Sequence, residues 1–147
     1  MPRMPFRHLL ALLLATSAGL AATTQIAPDK PIINFRLPAF TPEGNRSWLV
    51  RGSEARFQKE GQVDITGLNL SIFTGLPDGK VETLILSPSA HVVPDDQLVR
   101  GEESIRVVND RFEATGSNWI YSQRDKKVSI GKNVRVVLHT QLKDILQ

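Results

Sequence analysis

The chain has 147 residues, no cysteine and a formal net charge of +3. Without cysteine it has neither disulfides nor the thiol that a lipoprotein anchor needs, so core burial and hydrogen-bonded sheet must hold an exported domain together. Arg3 and Arg7 supply two of the three excess charges and residues 1–21 hold no acid, which leaves the remainder near +1. No block of like charge remains along the sequence to make a nucleic-acid site or a polybasic membrane patch.

In chain order, Arg3, Arg7 and His8 precede the apolar run LLALLLATSAGLAA, with small residues at Gly19 and Ala21. That pattern predicts a secretory signal peptide over residues 1–21. Left uncut, the segment would be a short membrane anchor, although the run falls below the roughly 20 residues of a transmembrane helix. Residues 22–33 read as a polar, proline-broken lead-in, and residues 34–139 as the folded domain. Turn signals then follow closely: TPEGN, KEGQ, LPDGK, VPDDQ, RGEE, VNDR, QRDKK and IGKN. Between them lie short alternating runs at Trp48–Phe57, Val63–Phe73, Val81–Leu86, Ser104–Val108, Asn118–Tyr121 and Val134–Leu138. Short strands at this spacing predict an all-β antiparallel sandwich, barrel or roll. Only the tail, residues 140–147, has a helical pattern, with Leu142, Ile145 and Leu146 on one side.

An internal repeat narrows the choice. VDITGLNLSI at 63–72 aligns with VSIGKNVRV at 128–136 once Thr66 is dropped, matching Val63, Ile65, Gly67, Asn69, Leu70 and Ile72 to Val128, Ile130, Gly131, Asn133, Val134 and Val136. Upstream, Gly52-x-x-Ala55-x-Phe57 matches Gly116-x-x-Trp119-x-Tyr121. Two copies are too few for a propeller, and the period is too long for a small solenoid rung. Two similar meanders forming one elongated roll is the economical reading. The paired glycines and asparagines then serve as bend points that curl the sheet about an apolar interior.

Catalytic and metal-binding chemistry finds little support. Gly131-Lys132 lacks the spacing of a phosphate loop and no helix follows it. Ser89, His91 and Asp95 are too close in sequence for triad geometry, and no G-x-S-x-G elbow is present. His91 and His139 have no partner at metal-ligand spacing. Asp95-Asp96 and Glu102-Glu103 read as solvated turn acids. The aromatics Phe57, Phe112, Trp119 and Tyr121 sit at inward-facing spacing, either as core filling or as the lining of an apolar channel. No cofactor is expected.

The export segment, the FRLPAF lead strand, GSEARF, VDITGLNLSI, the central SPSAH strand and the closing GSNWIY…VSIGKNVRVV together resemble the LptA/LptC-type (OstA-like) lipopolysaccharide-transport proteins. The length of a single unit favours the LptC-like branch. The resemblance implies an open-ended antiparallel β-jellyroll in the periplasm, inner-membrane anchored if the leader is retained. It implies that lipopolysaccharide acyl chains are held inside the roll and passed to an adjoining roll by edge pairing, in a bridge from an inner-membrane ABC transporter to the outer membrane. No enzymatic activity is implied. Residues expected to face the interior are Phe57, Ile65, Leu70, Ile72, Leu84, Leu86, Ile105, Val107, Phe112, Trp119, Tyr121, Ile130, Val134 and Val136. Val134, Arg135, Val136, Val137 and Leu138 form the expected docking edge. The alternative is a periplasmic structural domain with a closed core, acting only through its edges.

Overall fold

A computed structural model describes residues 30–139. The leader, most of the lead-in and the expected tail helix lie outside the described residues. Seven strands follow one another: β1 (Ile32–Phe40), β2 (Arg46–Phe57), β3 (Val63–Phe73), β4 (Val81–Val93), β5 (Leu98–Asn109), β6 (Phe112–Ser122) and β7 (Lys127–Leu138). They form one antiparallel sheet in sequence order, an all-β meander with a single 3₁₀ turn at Lys59–Gly61. β1 begins at Ile32, inside the stretch read as lead-in, because Ile32 pairs with Ala55 of β2.

Two of the turn signals do not separate strands. RGEE lies within β5 and IGKN within β7, and both mark a crease where the sheet folds back on itself. Pairing is interrupted there between Leu86 and His91, between Gly101 and Ser104, and between Thr115 and Ser117. Gly67 (φ +65) bends β3, whereas Asn133 (φ +54) bends β7, so the two repeats turn on different residues of the same unit. The crease also needs close backbone approach. A Cβ on Gly52 would collide with the Ile65 side chain, and one on Gly116 with the Ile130 side chain. The repeat seen in sequence is therefore repeated as a contact.

Folding at the crease brings opposite strand ends together. Gln123, just past the end of β6, donates from Nε2 to Ser47 Oγ near the start of β2 (2.9 Å), and Lys126 reaches Glu82 near the start of β4 (3.9 Å). The core is the space between the two folded halves. Directly paired residues share a face, so one inward row runs Leu37, Val50, Leu70, Ile85, Val107, Ala114, Val136 across all seven strands. A second runs Phe57, Val63, Val92, Val99, Tyr121, Val128 on the facing half.

Candidate functional site

Exposure along the first inward row describes the interior. Val50, Leu70 and Ile85 are 0% exposed, Val107 2%, Ala114 6% and Val136 54%. The roll is sealed over β2–β4 and opens toward β7, where the sheet ends and no further strand covers the side chains.

At the open end lies a cavity of about 420 Å³, within the roughly 300–1,000 Å³ range of small-molecule sites. Its apolar wall is built by Ile72, Val107, Phe112 and Ala114 on one half and Tyr121, Val128 and Ile130 on the other, with Val134 and Val136 of β7 at the open side. Glu82, Thr83, Asn109, Arg111 and Lys126 give it a polar, charged mouth. The Lys126–Glu82 pair spans that mouth at 3.9 Å with both side chains about half exposed, so it contributes little to stability.

Tyr121 anchors the cavity floor. Its hydroxyl donates to Gln123 Oε1, and Gln123 in turn donates to Ser47, so a buried polar chain ties the end of β6 to β2. Burial, with a smaller contribution from the Glu82 charge, pushes the Tyr121 phenol well above its ordinary pKa. The hydroxyl therefore stays protonated and remains a donor.

Of the residues expected inside, Ile72, Val107, Phe112, Tyr121, Ile130, Val134 and Val136 come together around this cavity. Ile65, Leu70, Ile105 and Trp119 are buried in the core, and Phe57 packs edge-on against Phe35 at its rim (5.9 Å between ring centroids). Trp119 packs against Gly101, where any Cβ would strike the indole, and its buried Nε1 has no hydrogen-bond partner. Leu84 and Leu86 correct the expectation. Ile85 pairs with Leu70 and Val107 and faces inward, which turns Leu84 and Leu86 to the outer surface, half-buried. Three consecutive aliphatics leave strand alternation ambiguous, and only the cross-strand register decides it. Sequence reasoning missed Ala114 and Val128, although alternation with Phe112 and with Ile130 places both on the inward face.

The segment around His91 contains no triad. His91 Nδ1 contacts Asp64 Oδ1 of β3 at 2.7 Å, and Gln62 and Gln58 also hydrogen-bond that carboxylate. Partial burial pushes the Asp64 carboxyl up, but the hydrogen bonds from His91, Gln62 and Gln58 outweigh it and hold the pKa below the ordinary value. Among the described residues no cluster of His, Asp or Glu has the placement of a metal site, and no helix is long and apolar enough to cross a membrane. The expected docking residues Val134 to Leu138 are all exposed on β7, which is an edge of the sheet.

One antiparallel sheet folded back on itself, sealed on one side and hollow on the other, defines a β-jellyroll-like module. The chain matches the LptC-related lipopolysaccharide-assembly family over residues 19–139 and belongs to it. It is an LptC-like component of lipopolysaccharide transport. No curated protein matches the chain.

Proposed function

We propose that the chain is a non-enzymatic carrier of lipopolysaccharide in the bacterial envelope, holding acyl chain in the β5–β7 cavity and passing it to an adjoining roll. The observation that carries this reading is the gradient in the interior: the same row of side chains is sealed at β2–β4 and hollow at β6–β7. An apolar cavity that opens at a sheet edge suits an elongated apolar tail, and its charged mouth suits a polar head outside. The edge that opens the cavity is also the unpaired strand β7, so a second roll added by strand pairing would extend the same interior. Residues Val134, Arg135, Val136, Val137 and Leu138 form that docking strand, and the partners are other Lpt-type rolls and an inner-membrane ABC transporter. The domain works in the periplasm, reached through the export segment or held at the inner membrane by it.

Site-specific photo-crosslinking tests the reading. A photoreactive residue replacing Ile130 is expected to give lipopolysaccharide adducts, and one replacing Leu70 to give none. Crosslinks to partner proteins from β7, with no lipid adduct at any cavity position, would instead establish a closed core that acts only through its edges.

A further inference from the structure

The outer surface of the folded sheet carries a feature that linear sequence conceals. Cross-strand pairing sets Arg36 opposite Arg51, Arg51 opposite Asn69, Leu86 opposite Arg106 and Thr115 opposite Arg135, so four arginines fall in one outward row crossing the sheet. Arg106 is held by Glu113 through Nε (2.7 Å) and Nη2 (3.2 Å). Arg36, Arg51 and Arg135 make no ion pair among the described residues, although like charges set directly opposite each other in a sheet are destabilising. The adjacent outward row is largely aliphatic: Pro38, Leu49, Leu84, Val108 and Val137 lie along it, with Ser71 buried between the two leucines and Glu113, the ion-pair partner of Arg106, between the two valines. The other outward half differs: along one row Arg56 lies opposite Asp64, Asp64 opposite His91 and His91 opposite Arg100, so a carboxylate stands among the basic residues.

We propose that this half of the outer surface docks on an anionic phospholipid bilayer. An aliphatic row beside a guanidinium row matches the boundary between acyl chains and headgroups. Guanidinium groups grip phosphates in a bidentate fork, which gives the three unpaired arginines the partner that the fold denies them. Charge complementarity and the apolar row are both required: an acidic polypeptide would use the arginines alone. This surface lies on the opposite face of the sheet from the cavity wall and does not depend on what the cavity holds.

The absence of cysteine permits a local test on the full chain. Val108→Cys, and separately Val137→Cys, would carry an environment-sensitive fluorophore in the aliphatic row, with Ser129→Cys on the other outward half as control. Vesicles of phosphatidylcholine with about a third phosphatidylglycerol should shift the emission at 108 and 137 to the blue and leave 129 unchanged. Pure phosphatidylcholine should shift none, and 0.5 M salt should abolish the effect, since the Debye length then falls to about 4 Å. Arg36→Gln, Arg51→Gln and Arg135→Gln should each raise the lipid needed for half the shift roughly fivefold. Association driven by the leader would move all three labels alike, and equal responses at 108 and 129 would overturn the proposal. So would a response indifferent to lipid charge or to the arginines. A shift produced by poly-glutamate and not by vesicles would replace the membrane with an acidic protein.

Discussion

The β2–β3 and β6–β7 hairpins are copies of one unit with different fates. Both bend at the crease, and both press a glycine against an isoleucine, Gly52 on Ile65 and Gly116 on Ile130. Yet Leu70 and Ile72 are buried in the first copy, while their counterparts Val134 and Val136 are each 54% exposed in the second. The sequence of the unit is not the cause; its neighbours are. β3 has a strand on each side and β7 has one. The same hairpin thus serves as core when internal and as cavity wall and edge when terminal.

Truncation should expose that contrast most strongly. Leu70→Ala removes a fully buried side chain and is expected to cost about 2–5 kcal/mol, whereas Val136→Ala in the same inward row should fall within about 0.5 kcal/mol; denaturant unfolding of both variants measures the gap. Enlargement should reverse the usual penalty at one end only. Ala55→Leu overfills the sealed half and should cost about 1–3 kcal/mol, while Ala114→Leu grows into the cavity and should leave the unfolding midpoint nearly unchanged.

Much of this was legible beforehand, and the failures have physical causes. The all-β class, the repeat and seven of the cavity residues follow from alternation and turn chemistry. The crease did not, because RGEE and IGKN carry the same glycine and polar residues whether a chain reverses or only bends. Leu84-Ile85-Leu86 gave no alternation to read, and its inward member was chosen by pairing with Leu70 and Val107. The arginine row was invisible for a similar reason. Its consecutive members are 15, 55 and 29 positions apart in sequence and meet only through register.

Smaller effects refine the picture. Tyr121→Phe leaves Gln123 Oε1 without its donor and should lower stability by about 1 kcal/mol, with the larger consequence in the cavity floor that the polar chain holds. The Asp64 pair should act on stability and its pH dependence and leave the cavity unchanged. Its carboxyl is held below 3.8 in the fold, so the stabilisation is present above that value and is lost as pH falls through the lower, native one. Asp64→Asn should therefore flatten the loss of stability between about pH 4 and pH 2, read from unfolding midpoints across that range.

The hollow end as the seat of lipid is tested most directly by filling it. Lipopolysaccharide binding by Ala114→Leu, measured beside its unfolding curve, should weaken about tenfold or more, equivalent to about 1.4 kcal/mol, with the fold intact. Wild-type affinity in a stably folded Ala114→Leu chain would contradict the account.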